Sequence, residues 1–357
     1  MINLINLKDY GFDPNTIKIP ENIKNIPARV TAAHKDRYEI VCEYGLIYAK
    51  LKTSVYYYHG DESKKSNESN EESFPTTGDF VLIDYIPGGD SMIIKTLARK
   101  SLFSRLEPGP IPREQAIAAN FDYVFIMASL NHDFNIRRIE RYLALARRSG
   151  GVPVVVLTKA DLAGEFSQQL EAAGSVAAGA DICAVSAKTG LGLDSLGGYL
   201  KPGITIVFMG SSGVGKSSLV NALAGEDVMA VNVMRNVDAS KGRHTTTHRQ
   251  LIMLQSGVMI IDTPGMRELA MTDVSDSLNG TFGDVERFLG KCKFRDCKHQ
   301  SEPGCAVKSA LESGELSGGR WESYLRLNDE SKYGVKRLAS KKGKRIKERG
   351  GHIYDEE

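Results

Sequence analysis

No stretch of the 357-residue chain approaches the roughly twenty consecutive apolar residues that a membrane-spanning helix needs, which excludes a helical membrane protein. The start, MINLINLKDYGFDP, lacks a basic region followed by an apolar run, so no secretory signal is expected. Excess charge of one sign is missing as well. Lys and Arg number 46 against 44 Asp and Glu, a net charge of +2, and overall charge says little about partners. Cysteine is scarce: five residues, an odd number, with three of them between 292 and 305. That pattern favours a reducing, cytoplasmic setting and a metal site over a disulfide framework. What is present is ordinary globular material, 41% hydrophobic and 25% charged, in a chain long enough for two or three domains.

Short runs with β character occupy 26–97: Ala28–Ala32, Tyr38–Cys42, Gly45–Ala49, Asp79–Tyr85 and Ser91–Ile94. No helical period separates them, and five such strands predict a small barrel of the OB type. The polar stretch from His59 to Thr77 is expected to be a mobile loop between strands. From about 120 to 285 the pattern changes. Apolar runs at Tyr123–Ala128, Val152–Leu157, Ile182–Val185, Ile204–Met209 and Val258–Ile261 alternate with helical patterns such as Ile136–Arg148 and Ser217–Ala224. This predicts a parallel sheet with helices on both faces. The expected layout is a multi-domain α/β protein: a leader over 1–25, an OB-like barrel over 26–98, a nucleotide-binding α/β domain over 99–285, and a Cys/His-containing, helical and basic region over 286–357.

Gly210-Ser211-Ser212-Gly213-Val214-Gly215-Lys216-Ser217-Ser218 fits the phosphate-loop pattern G-x-x-x-x-G-K-[ST], between a strand and a helix. Glycines let the backbone N–H groups face phosphates, and the helix N-terminus adds its dipole. Lys216 is expected to reach the β- and γ-phosphates, and Ser217 to ligate Mg²⁺. Downstream, Asp262-Thr263-Pro264-Gly265 is a D-x-x-G at a strand end. Asp262 can hold magnesium through water, and the Gly265 N–H can sense a γ-phosphate. In between lies Gly242-Arg243-His244-Thr245-Thr246-Thr247, where one of Thr245, Thr246 and Thr247 is expected to close over the magnesium.

Base choice rests on Thr158-Lys159-Ala160-Asp161, which is similar to the guanine motif N-K-x-D with Thr158 in place of Asn. A carboxylate at Asp161 accepts from two donors on guanine that adenine does not offer. Lys159 can lie along the base, and Ser186-Ala187-Lys188 resembles the second guanine motif, where a backbone N–H meets O6. These motifs normally follow D-x-x-G. Here they precede the phosphate loop, so the domain is circularly permuted, which a fold with neighbouring termini tolerates.

Cys292, Cys297, His299 and Cys305 make C-x₄-C-x-H-x₅-C, a closed set suited to one structural Zn²⁺. Cys42 and Cys183 lie in β runs and are expected in cores. Nine Lys and Arg against one Glu between Lys332 and Arg349 form an electrostatic footprint for a nucleic-acid backbone. The run Tyr56-Tyr57-Tyr58 offers rings for base stacking.

From about 26 to 330 this arrangement resembles the ribosome small-subunit-dependent GTPase A family. The likeness rests on the barrel, T-K-A-D, S-A-K, G-S-S-G-V-G-K-S, G-R-H-T-T-T, D-T-P-G and the zinc spacing. The resemblance implies a GTPase of late small-subunit assembly that binds ribosomal RNA, cycles between GTP and GDP, and is stimulated by the subunit. Like that family, the chain carries an apolar residue, Met266, where many GTPases place a water-orienting Gln. His244 is then the candidate for orienting the attacking water. A monomer without membrane association is expected. Three rival readings are a metabolic P-loop ATPase or kinase, a GTP-dependent RNA-binding switch with little catalysis, and a permuted GTPase of large-subunit assembly.

Overall fold

The computed structural model describes residues 4–19, 24–52, 74–106, 114–228, 249–262 and 281–329. The five predicted barrel strands form as β1 (Ile26–Ala33), β2 (Tyr38–Cys42), β3 (Gly45–Leu51), β4 (Phe80–Asp84) and β5 (Ser91–Thr96). They pair in the order β1-β2-β3-β5-β4, and β4 returns to β1. Closure leaves no free edge and gives the interior to small and β-branched residues such as Ala28, Val30, Ile40, Val81 and Ile93.

The leader carries a 3₁₀ turn over Leu7–Tyr10, capped by the Asn6 side chain, which buries Leu7, and Ile17 packs with Phe80 and Leu82. One expectation about this half needs correction. The polar stretch assigned to a loop over 59–77 ends sooner than its composition implies. Thr76 and Thr77 are buried, with Thr76 Oγ1 donating to the Ile117 carbonyl at 3.1 Å and Thr77 Oγ1 to the Arg249 carbonyl at 3.2 Å. A hydroxyl that finds a carbonyl can be buried cheaply, so polarity alone did not mark exposure. Residues 59–73 and the Tyr56–Tyr58 run lie outside the described residues.

An antiparallel ribbon, β6 (Leu102–Leu106) with β7 (Glu114–Ala119), leads to the α/β sheet. There β8 (Tyr123–Ser129), β9 (Val152–Thr158), β10 (Asp181–Ala184), β11 (Thr205–Gly210), β12 (Gln250–Met253) and β13 (Met259–Asp262) stand in the order β10-β9-β8-β11-β13-β12. All neighbours are parallel except β12 with β13. Successive side chains serve opposite faces. Ile126, Val155 and Met209 pack with Leu143 of α1 (Ile136–Arg148) and Val176 of α2 (Ser167–Ala177). Phe125, Val156 and Phe208 pack with Leu219 and Val220 of α3 (Lys216–Ala224). Burial on both faces explains why these strands are apolar throughout rather than alternating.

The barrel and the α/β sheet are joined: β1 pairs with β12 at Ala32 and Gln250, making one continuous eleven-stranded sheet among the described residues. Beside this seam Arg29 is 1% exposed. Its guanidinium donates to the carbonyls of Tyr10 (2.5 Å), Gly78 (3.2 Å) and Asn120 (3.0 Å). Burial lowers its pKa to about 10, so it stays charged at neutral pH, held by neutral acceptors.

The C-terminal part comprises α4 (Gly283–Glu286), α5 (Ala306–Ser313) and a helix α6 over 318–329. Arg320 roots α6 in the α/β domain. It meets Glu140 of α1 at 2.5 Å, both oxygens of Asp284 at 2.8 and 2.9 Å, and the Thr281 carbonyl at 2.6 Å. No helix among the described residues is long and apolar enough to cross a membrane.

Candidate functional site

β11 is buried from Thr205 to Met209 and releases the chain at Gly210. A Cβ at Gly210 would lie 3.0 Å from Val214 Cγ1 and 3.1 Å from the Met127 carbonyl, so any side chain there would crowd its neighbours. Gly215, at φ 104°, turns the chain into α3 in a left-handed conformation that a side chain would strain. It brings no side-chain cap, which leaves the first-turn N–H groups of α3 for an anion. Lys216 opens that helix and forms an ion pair with Asp262, the last residue of β13. The phosphate-loop amine and the D-x-x-G carboxylate therefore meet, although 46 residues separate them. Ser212, Ser217 and Ser218 are exposed on the same stretch.

The predicted base-reading residues also converge. Lys159 adopts left-handed backbone at φ 61°, and the Ala160 N–H donates to the Val185 carbonyl at 3.1 Å. This pins the turn after β9 to the chain leaving β10. Asp161 is exposed, and its Oδ1 accepts from the hydroxyl of fully buried Ser186 at 2.7 Å. Ser186 thus orients the carboxylate, while Ala187 is half-buried and Lys188 exposed beside it. The Thr158 hydroxyl, 4% exposed, donates to the Val214 carbonyl at 2.5 Å. The position that departs from Asn is therefore the bond fastening the base motif to the phosphate loop.

Spacing did not point to Asp133, in the loop between β8 and α1. Its carboxylate accepts from the guanidinium of Arg138 (2.9 and 3.3 Å) and from the hydroxyl of Ser211 (2.7 Å). Arg138 first, then Ser211, holds the Asp133 carboxyl below its usual range. Asp133 braces the phosphate loop from outside, beside a cavity of about 620 Å³ bounded by Arg138, Tyr142, Lys159 and Ser212. The signal available in sequence was Asn131-His132-Asp133 immediately after a strand end, too generic to interpret. His244, Thr245, Thr246, Thr247 and Gly265, like the basic run Lys332–Arg349, lie outside the described residues.

Cys292, Cys297, His299 and Cys305 bring their ligand atoms within 4.8 Å of one another. His299 Nδ1 lies 3.4, 3.7 and 3.4 Å from the three sulfurs, and Cys292 and Cys305 sulfurs are 3.9 Å apart. A tetrahedral zinc with bonds of about 2.3 Å to sulfur has edges of roughly 3.5–3.8 Å, so the donor set fits that ion. Cys42 and Cys183 are buried in the barrel and the α/β sheet.

With this geometry in place, the relatives are informative. A model of the RsgA GTPase family matches residues 96–272. The small ribosomal subunit biogenesis GTPase RsgA 2 of Listeria monocytogenes is 43% identical over 330 residues, spanning 92% of this chain and 90% of that protein. The chain belongs to the RsgA GTPase family. The RsgA of Methanosarcina acetivorans is also 43% identical, over 74% of this chain and 73% of that one. Among solved structures, YjeQ from Thermotoga maritima superposes with a TM-score of 0.61 at 27% identity, covering 86% of this chain and 98% of that chain. YloQ, described as a circularly permuted GTPase, gives 0.57 at 25%, with coverage of 88% and 98%. The inverted motif order is thus shared with YloQ, and the chain is a GTP-hydrolysing enzyme whose family implies a guanine nucleotide and Mg²⁺.

Proposed function

We propose that this chain acts in assembly of the small ribosomal subunit, binding ribosomal RNA in the cytoplasm as a monomer and hydrolysing GTP when the subunit is engaged. The reading is supported most by one contact, Thr158 to Val214, which fastens base-reading and phosphate-binding segments into one crevice despite their inverted chain order. Asp161, oriented by Ser186, selects guanine. Ser186, Ala187 and Lys188 border the base, and Lys159 lies along it. Residues Gly210–Ser218 cradle the phosphates. On substrate binding Lys216 exchanges Asp262 for the β- and γ-phosphates, which frees that carboxylate. Ser217, one of Thr245, Thr246 and Thr247, and Asp262 would hold Mg²⁺, which would supply charge neutralisation on the phosphates. Gly265 senses the γ-phosphate. His244 orients the attacking water, since Met266 cannot. The Cys292, Cys297, His299 and Cys305 set would hold a structural zinc. The relatives named for small-subunit biogenesis support the partner, and the barrel and basic tail support RNA as its contacted part.

GTP hydrolysis titrated with isolated small and large subunits tests this. Small subunits should accelerate turnover and large ones should not; acceleration by large subunits alone would overturn the assignment. In the same titration His244→Ala should lower stimulated turnover about 10²-fold or more at unchanged GTP affinity. Wild-type stimulation in that variant removes His244 from the mechanism.

A further inference from the structure

The loop between the first two cluster cysteines has a composition that the metal does not require. Residues 291–298 run Lys-Cys-Lys-Phe-Arg-Asp-Cys-Lys. Lys291, Lys293, Arg295 and Lys298 are all exposed, and Asp296 is the single acid among them. Phe294 keeps 44% of its surface in solvent, with the Lys293 ammonium 5.8 Å from the ring centre. A lone exposed ring on a loose loop needs no explanation. This loop, however, is fixed from several directions. The Lys293 N–H donates to the Gly304 carbonyl at 3.0 Å, and the Cys297 N–H to the Phe294 carbonyl at 3.3 Å. On its far side the Glu302 carboxylate collects the N–H groups of Lys298, Gln300 and Ser301 at 2.9, 2.9 and 3.0 Å.

A fixed aromatic face with one ammonium 5.8 Å from its centre, on a loop rich in exposed cations, suits a ligand that is flat, apolar on its face and anionic along its edges. One ring is too little apolar surface for membrane insertion, which takes a whole helix face, or for the packed centre of a protein interface. An unpaired nucleotide in single-stranded RNA has these properties: a base that stacks and phosphates on either side. We propose that this loop is a single-stranded RNA contact in which an unpaired base stacks on Phe294 and the adjoining phosphates meet Lys293 and Arg295. The inference rests on the ribosomal-RNA reading above and narrows it to one loop.

The experiment uses the full, metal-loaded chain and a labelled single-stranded RNA of about ten nucleotides, near the footprint of small single-strand-binding modules. Phe294→Leu keeps the bulk but loses the π-face, and should weaken binding roughly tenfold. Phe294→Trp should retain affinity, and its new indole emission should be quenched by RNA. The double variant K293Q/R295Q should reduce the slope of log affinity against log salt by about 1.4. Subunit-free GTP hydrolysis and bound metal should stay at wild-type values in all three variants. Wild-type affinity in Phe294→Leu, or tryptophan emission indifferent to saturating RNA, overturns the proposal. So does loss of subunit-stimulated turnover in Phe294→Leu with RNA affinity intact, which would seat a protein surface on the ring. These RNA measurements need no subunits, so their failure is distinct from a failure of the small-subunit reading, which appears as unstimulated wild-type turnover.

Discussion

A threonine hydroxyl has one proton to donate, and Thr158 spends it on the Val214 carbonyl 2.5 Å away. The proposed guanine recognition therefore falls on Asp161, whose carboxylate is steered by a buried serine rather than left to rotate. Asp161→Asn should abolish most of the preference for GTP over ATP, a loss of about tenfold or more, because a charge-assisted pair of bonds contributes roughly 1.5–3 kcal/mol each. Calorimetry with both nucleotides checks this, and an unchanged ratio would dismiss Asp161 as the discriminator. Residues of this kind were legible in the sequence because their chemistry is local: glycines, a lysine and a hydroxyl must follow one another to wrap a phosphate. Asp133 and Arg29 were not. Asp133 reaches a serine 78 residues away and Arg29 a carbonyl 91 residues away, and no local pattern announces either partner.

At the level of elements, strands buried on both faces were readable because they are continuously apolar and end in motif residues. The ribbon strand β7 escaped notice because Glu-Gln-Ala-Ile-Ala-Ala is poor in β-branched and aromatic side chains; it is a strand through its pairing with β6. The metal cluster was legible as spacing, but its bearing on a helix was not. Cys305 is the N-cap of α5, its sulfur accepting from the Lys308 N–H at 3.5 Å. Losing the ion would therefore release a helix start together with the cluster. Chelation should expose new protease sites between 286 and 329 while leaving the α/β sheet resistant, as mass spectrometry of the fragments would show. An unchanged digestion pattern after verified metal removal would mean that the cluster does not hold this region together.

At the level of the whole molecule, the strands of the barrel and the α/β sheet meet, among the described residues, at the single Ala32–Gln250 pair, with buried Arg29 beside it. Arg29→Met would leave the carbonyls of Tyr10 and Asn120 without that donor, while Gly78 keeps the Asn120 side-chain amide at 3.3 Å. The cost should be about 2 kcal/mol or more, given roughly 1–3 kcal/mol per unsatisfied group. Scanning calorimetry should show a lower melting temperature, with one cooperative transition separating into two as the halves uncouple. A variant that melts as the parent does would show that the guanidinium is not what binds them.

The shared sheet also governs how deletions are to be interpreted. A shortened chain starting near residue 99 would retain every nucleotide motif, yet β12 would lose its neighbour β1 and present bare backbone beside apolar strands. Such a border recruits strands from other copies and drives precipitation. Poor behaviour of that fragment would then report a raw edge, and would carry no information about what the missing barrel touches.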